Sequence, residues 1–147
     1  MAFRLVSSGG NVNDPVLVNM AASGEIHPGL PVELVLSTTG AVVAPAGIDT
    51  TRTLLFGVAY DHLIGASDSY VRVVRFNPEQ LWEVDCANAI TTAQVGVRQY
   101  LSASRGYVHN QVTDANGINR VFLAVAMTGS TSGSGKLIGH FLASPGL

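Results

Sequence analysis

Apolar and polar residues alternate with a period of two along most of this chain. In LPVELVL, residues 30–36, every second position is leucine or valine, and these positions form one apolar face. In QLWEVDC, residues 80–86, Trp82, Val84 and Cys86 lie on one side and two carboxylates lie on the other. A period of two is the side-chain spacing of a half-buried strand, so both segments are predicted to be β-strands.

Other segments add a central strand, a hairpin and one helical turn to this pattern. LLFGVAY, residues 54–60, is apolar at nearly every position, which predicts a central strand covered on both faces. The turn STTG, residues 37–40, leads into the apolar segment AVVA, and this combination predicts a hairpin. Residues 90–95 end at Gly96, which predicts a single short helical turn.

Many short strands separated by glycine and asparagine turns are typical of an all-β domain. We therefore expect a small β-barrel or β-sandwich of short antiparallel strands, with one short helical turn and an extended N-terminal arm. Residues 1–15 would form the arm, and residues 16–147 would form a single β domain. Within the arm, a short apolar piece over 3–6 precedes a polar, glycine-rich segment. The arm is either a frayed terminus or a strand that pairs with the sheet edge of a neighbouring molecule.

The charge content is low for a soluble domain. Only 12% of the 147 residues are charged, against about 25% in ordinary domains, and seven of the eight basic residues are arginine. Surfaces poor in lysine and rich in arginine are typical of protein interfaces, so the composition favours a subunit of an assembly. The net charge of −2 argues against nucleic-acid binding. The longest apolar runs have seven residues, so no membrane span is expected, and no signal peptide is recognised.

A glycine- and serine-rich segment, TGSTSGSGK over 128–136, resembles a phosphate-binding loop at its last two residues. A Walker loop also needs glycine at position 130 and a hydroxyl residue after the lysine, but these positions hold Ser130 and Leu137. Pro145 leaves no room for the helix that such a loop opens. The segment is therefore predicted to be a loop between two antiparallel strands.

No residue pattern predicts catalysis, a metal site or a cofactor site, and the chain is expected not to be an enzyme. The Asp61-His62 pair with Asp68 nearby could hold a metal ion or act as a base, although such residues more often lie in surface turns. Cys86 alternates with apolar residues, which favours a buried, unreactive thiol. Trp82 is expected to anchor the core rather than to stack on a sugar.

Four stretches carry a resemblance to a known family, and they occur in this order: GEIHPGLPVEL, FGVAYD, PEQLWEVDCAN and TTAQVGV. The order and style of these segments, from about Asn19 to Leu142, resemble a head decoration, or capsid cement, protein of the tailed double-stranded DNA bacteriophages. The resemblance implies a small β-rich protein, often trimeric, that sits outside the capsid and bridges neighbouring major capsid subunits. It implies no catalytic residues.

We therefore expect a structural virion protein, made in the host cytoplasm and located on the capsid outer surface. Its expected partners are the major capsid protein and further copies of itself as a homotrimer, with no nucleic acid, membrane, metal or cofactor. The residues expected at the assembly interface are an N-terminal group and four further arginines: Phe3, Arg4, Leu5, Val6, Arg52, Arg72, Arg75 and Arg105.

The alternative function is a carbohydrate- or receptor-binding β module of a phage tail or fibre. Aromatic rings provide the flat apolar faces on which sugars stack. In this alternative, the stacking faces would come from Trp82, Tyr60, Tyr70 and Tyr107.

Overall fold

A computed structural model describes residues 3–7, 17–37, 40–61, 70–86, 92–101, 108, 120–128 and 136–143. These residues form ten β-strands and one short 3₁₀ helix, Thr92–Gln94. The strands are β1 Arg4–Ser7, β2 Leu17–Ala21, β3 Pro31–Ser37, β4 Gly40–Pro45, β5 Leu55–Ala59, β6 Tyr70–Arg75, β7 Leu81–Asp85, β8 Arg98–Gln99, β9 Phe122–Thr128 and β10 Lys136–Phe141.

The strands form two antiparallel sheets of five strands each. One, which we call the barrel sheet, has the order β2-β6-β5-β3-β4. The other, which we call the cover sheet, has the order β1-β7-β10-β9-β8. The expected all-β class, built from short antiparallel strands, is confirmed.

The barrel sheet curls until its two edge strands meet. Ala22, just after β2, forms a parallel bridge with Val43 of β4, and the Ser23 amide donates a hydrogen bond of 2.8 Å to the Val43 carbonyl. The concave face therefore encloses a small core. The buried residues of this barrel core are Ala22, Ile26, Val32, Val43, Ala59, Val71 and Val73.

The convex face of the barrel sheet packs against the cover sheet. Val58 and Val74 from the barrel sheet share one buried cluster with Trp82 and Leu137 from the cover sheet, and we call this cluster the inter-sheet core. Aromatic rings dominate it, with the Phe76 and Phe141 centroids stacked 4.1 Å apart.

The central strand β5 faces both cores, which explains its continuous apolar sequence. Val58 belongs to the inter-sheet core, whereas Ala59 belongs to the barrel core. Strand β5 lies third of five in the barrel sheet, so the predicted central strand is confirmed.

The described part of the N-terminal segment packs on its own chain. Strand β1 pairs antiparallel with β7, and Leu5 lies opposite Trp82. Phe3 is only 3% exposed, and its ring centroid lies 4.8 Å from that of Phe141. In this structure, residues Arg4–Ser7 form an edge strand of the chain's own cover sheet. Residues 8–16 lie outside the described residues.

The predicted hairpin and helical turn are both confirmed. Strands β3 and β4 pair antiparallel up to Ser37 and Gly40, and Gly40 has a φ of 131° that favours glycine. The 3₁₀ helix Thr92–Gln94 lies within the predicted helical turn, and Gly96 follows it with a φ of 82°.

The glycine- and serine-rich segment joins two neighbouring antiparallel strands, as predicted. Strands β9 and β10 pair with each other, and Lys136 is the first residue of β10. A strand therefore follows the Gly-Lys pair, where a phosphate loop would open a helix. Residues 129–135 lie outside the described residues.

Two glycines lie where strand backbones approach closely. A Cβ atom at Gly139 in β10 would overlap the carbonyl oxygen of Leu123, and one at Gly57 in β5 would overlap the carbonyl oxygen of Val74. Neither φ is positive, so packing rather than backbone conformation requires glycine at these two positions. By contrast, a Cβ at Gly47 would meet nothing within 4 Å.

Candidate functional site

The four N-terminal residues expected at an interface divide between the core and the surface. Phe3 is buried in the inter-sheet core, and Leu5 packs against that core. Val6 is exposed at a bulge of β1, and the Arg4 side chain is 72% exposed. Only Arg4 and Val6 are therefore presented to a partner in this fold.

The outer face of the cover sheet carries a row of ion pairs between neighbouring strands. Arg4 Nη2 lies 2.7 Å from Glu83 Oε1, and Lys136 Nζ lies 3.1 Å from Asp85 Oδ1. Lys136 Nζ also lies 4.0 Å from Glu83 Oε1. A partner carboxylate that binds Arg4 must therefore compete with Glu83 for the guanidinium.

Arg72 belongs to a second polar group, on the convex face of the barrel sheet. Its guanidinium makes a bidentate contact with Asp61, with Arg72 Nη2 and Asp61 Oδ1 2.7 Å apart. The same guanidinium lies over the Tyr60 ring, 4.7 Å from its centroid. Hydrogen bonds from the Arg72 side chain and backbone lower the pKa of the Asp61 carboxyl below its ordinary value, and the attraction of the Arg72 charge acts in the same direction.

Two tyrosines are exposed on the same face. Tyr60 is 55% exposed and Tyr70 is 71% exposed. Tyr70 pairs with Ala21, and Arg72 pairs with Asn19. These four side chains therefore lie on one face of the two paired strands β2 and β6. We call Tyr60, Asp61, Tyr70 and Arg72 the tyrosine surface. Its ring area and its fixed guanidinium are features common in binding sites for proteins and for sugars.

The remaining arginines expected at the interface do not join this surface. Arg75 lies opposite Gly57 on the other face of β6, and its guanidinium lies 5.7 Å from the Phe56 ring centroid. Arg52 lies between β4 and β5, where its Nε donates a hydrogen bond of 2.9 Å to the Arg120 carbonyl. Arg105 lies outside the described residues. The structure therefore distributes these arginines over separate elements.

Trp82 is 2% exposed and packs edge-on against Phe76, with the ring centroids 5.9 Å apart. It is a core anchor, as predicted, and it offers no free face for a sugar. Tyr107, the third tyrosine of the alternative function, lies outside the described residues.

Of the residues that the sequence suggests as reactive, Cys86 is partly buried and Asp61 is ion-paired. Burial raises the pKa of the Cys86 thiol to about 12, and the neighbouring Asp85 charge adds to this effect. Asp61 is bound by Arg72, whereas His62 and Asp68 lie outside the described residues. Among the described residues, no group of three His, Cys, Asp or Glu side chains could hold a metal ion. No helix of the described residues is long and apolar enough to cross a membrane.

Comparison with known proteins yields a structural match. No family model matches the chain, and no curated protein matches it. Among solved structures, the head fiber gp8.5 N base of bacteriophage phi29 has a similar fold, with a TM-score of 0.56 and 14% sequence identity. The match covers 89% of this chain and 98% of the phage chain. At this level of identity, the likeness shows a shared fold.

Proposed function

We propose that this chain is a structural protein of a phage virion, which binds the outside of the capsid and holds neighbouring major capsid subunits together. The observation that carries the proposal is the fold, which matches the base of a phage head fiber over nearly its whole length. The matched protein is the N base of a head fiber, and we extend an association with the phage head to this chain. The sequence resemblance to capsid cement proteins supports the same assignment.

The composition and the surface support a role in an assembly rather than in chemistry. Only 12% of residues are charged, so little charge has to be desolvated when neighbouring subunits cover the surface. Arg4, Arg72 and Arg75 are exposed, and a guanidinium can bind a carboxylate in a bidentate manner. Many copies on one shell would multiply a modest contact energy. The proposed partners are therefore the major capsid protein and other copies of this chain.

The proposal is tested on particles of the phage that encodes the chain, with and without its gene. Particles that lack the chain are expected to release DNA at a lower temperature, measured by the fluorescence of a DNA-binding dye during heating. Purified chain added back should restore the release temperature. If particles with and without the chain release DNA at the same temperature, the chain does not cement the capsid.

A matched pair of variants locates the contact. Val6→Asp places a charge on the exposed edge strand β1, and it is expected to weaken restoration. Val95→Asp, at another exposed valine, is expected to restore the release temperature as well as the wild type does. Circular dichroism of both variants confirms that each is folded before it is added.

The proposed homotrimer is tested separately by light scattering on a sizing column. A trimer has three times the chain mass of 15.3 kDa. Three-fold positions on a shell suit a closed three-fold oligomer. A monomeric mass at capsid-saturating concentrations would contradict the trimer but not the binding to capsids.

A second candidate function is carbohydrate or receptor binding by the tyrosine surface. The observation that favours it is the exposure of Tyr60 and Tyr70 beside the fixed Asp61–Arg72 pair. A glycan array is the test, with Tyr70→Ala as the variant and Tyr100→Ala as the control on another part of the chain. Saturable binding that Tyr70→Ala alone removes would support this function, and an array without signal would contradict it.

A further inference from the structure

A cavity of about 400 Å³ opens at one end of the cover sheet. Its apolar walls come from Pro78, Leu123, Leu142 and Ala143. Leu123 of β9 lies opposite His140 of β10, so both side chains point to the outer face of the sheet. The volume falls in the range of small-molecule sites, about 300–1,000 Å³, and is large enough for one small ring or one side chain.

Arg52 lines this cavity, and no carboxylate of the described residues pairs with it. Its Nε donates to the Arg120 carbonyl, but no ion pair forms between Arg52 and any described residue. Arg4 and Arg72, by contrast, each bind a carboxylate at 2.7 Å. The Arg52 guanidinium therefore carries a positive charge that the described part of the chain leaves unpaired.

One terminal nitrogen of Arg52 makes this charge costly. Arg52 Nη2 is shielded from water and has no hydrogen-bond partner in the structure. A buried N–H without an acceptor loses its hydration without compensation, and the loss is greater for a charged group. A carboxylate in the cavity would offset part of this cost through its charge, because Arg52 lines the cavity although Nη2 itself is shielded.

His140 provides a second polar group on the cavity wall. Its Nδ1 lies 2.9 Å from the Gln80 carbonyl oxygen. A carbonyl oxygen can only accept, so Nδ1 carries the proton of this bond and the ring is held in one orientation. Nε2 is then the ring nitrogen that can meet a ligand in the cavity.

We infer that this cavity binds a carboxylate carried on a small apolar body. The apolar walls would receive the body, and the Arg52 guanidinium would bind the carboxylate, which fits its planar donors. The carboxylate could belong to a free aromatic or aliphatic acid or to an acidic side chain of a partner protein, because both present the same group. The inference does not depend on the proposed virion role.

Sodium benzoate is the probe for a free acid, and benzyl alcohol is its uncharged counterpart. NMR titration in a low-chloride buffer follows the His140 ring resonances. Benzoate is expected to shift them saturably, and benzyl alcohol is expected to bind about tenfold more weakly because it lacks the charge-assisted hydrogen bonds. Equal affinity for the two probes would overturn the role of the carboxylate.

Two variants and one control connect the binding to the cavity. Arg52→Gln removes the charge, and Ala143→Leu fills the cavity while it leaves Arg52 in place. Each is expected to weaken benzoate binding by about tenfold or more. Arg75→Gln removes an arginine from another place on the barrel sheet and should leave the affinity unchanged. Unchanged affinity in both cavity variants would overturn the inference, and near-ultraviolet circular dichroism shows that each variant is folded.

A peptide with capped termini and an internal Phe-Glu pair distinguishes a partner's acidic side chain from a free acid as the source of the carboxylate. The same peptide with Phe-Gln is its control. Saturable binding of the Phe-Glu peptide, lost in Arg52→Gln, supports a partner's acidic side chain as the ligand. Binding of benzoate without binding of the peptide supports a free acid. If neither benzoate nor the Phe-Glu peptide shifts the His140 resonances, the cavity is not a carboxylate site.

Discussion

The barrel core and the inter-sheet core are built from different kinds of residue. The seven buried residues of the barrel core that the structure describes are all aliphatic, and all but Ile26 are valine or alanine. The inter-sheet core has fifteen buried residues, of which five are aromatic. A tightly curled sheet leaves room only for small side chains, whereas two facing sheets leave a gap of about 10 Å that rings can fill. Geometry therefore decides which residues each core accepts.

The two cores also differ in how widely their residues are spread along the sequence. The barrel core uses residues between Ala22 and Val73, which is about a third of the chain. The inter-sheet core reaches from Phe3 to Phe141. The cover sheet thus joins the two ends of the described chain, and its stability depends on contacts that are far apart in sequence. We expect the inter-sheet core to supply the larger part of the fold's stability, and substitutions in the two cores test this difference.

The largest effect is expected for Trp82→Ala in the inter-sheet core. Removal of a buried tryptophan leaves a large cavity and should lower the free energy of unfolding by about 3–5 kcal/mol. Val73→Ala, in the barrel core, removes two methyl groups and should cost about 2 kcal/mol. Urea unfolding followed by circular dichroism measures both.

A third variant, Trp82→Phe, sharpens this comparison. The buried Trp82 Nε1 has no hydrogen-bond partner in the structure, so its loss removes no hydrogen bond. Trp82→Phe should therefore cost clearly less than Trp82→Ala. If Val73→Ala proved as costly as Trp82→Ala, the inter-sheet core would not be the stronger of the two.

The next largest effect is expected for Phe3→Ala. Phe3 packs on Phe122 and Phe141, with ring centroids 5.7 Å and 4.8 Å away, so its truncation should cost about 3 kcal/mol. Val6→Ala in the same strand is the control, since Val6 is exposed and should change stability little. A negligible effect of Phe3→Ala in the purified chain would mean that the N-terminal segment is not part of this chain's own core.

Smaller losses are expected where a methyl group meets a strand backbone. Gly139→Ala in the cover sheet and Gly57→Ala in the barrel sheet should each cost about 1–3 kcal/mol, because the new Cβ overlaps a carbonyl oxygen. Gly47→Ala is the matched control, and its free energy of unfolding should stay within about 0.5 kcal/mol of the wild type. Tolerance of alanine at Gly57 with loss at Gly139 would show that the barrel sheet is the more adaptable of the two.

The smallest effect is expected for Asp61→Asn on the tyrosine surface, where the ion pair is exposed to solvent. Arg72 lowers the pKa of Asp61 below the ordinary value of 3.8, so the pair stabilises the fold above that pH. The contribution disappears as the pH falls through the lowered pKa. Asp61→Asn should therefore lower Tm by about 1–2 °C at pH 7 and by less at pH 2. An equal difference at both pH values would show that the carboxylate charge is not responsible.

Local features of this fold can be predicted from the sequence. The alternation around Trp82 predicts β7, and the STTG turn predicts the hairpin of β3 and β4, because strand faces and tight turns depend on neighbouring residues. The apolar run of β5 predicts a central strand. Its physical basis is that Val58 and Ala59 face different cores.

The contacts between distant segments cannot be predicted from local sequence patterns. The bridge between Ala22 and Val43, which curls the barrel sheet, leaves no periodic signal in either strand. Phe3 could belong to an arm or to a core, and only its placement beside Phe141 decides between them. The cavity at Arg52 forms from four separate parts of the chain, and an arginine in a loop gives no sign of it. On the tyrosine surface, YD at 60–61 and YVR at 70–72 become neighbours only because β5 pairs with β6.

The central proposal is that this chain is a structural component of a phage head. The most direct measurement is the number of copies per particle, obtained by quantitative mass spectrometry of purified heads and tails separated from the same virions. A chain that belongs to the head is expected at a fixed ratio to the major capsid protein in the heads and is expected to be absent from the tails. Absence from heads, or recovery only with tails, would contradict it.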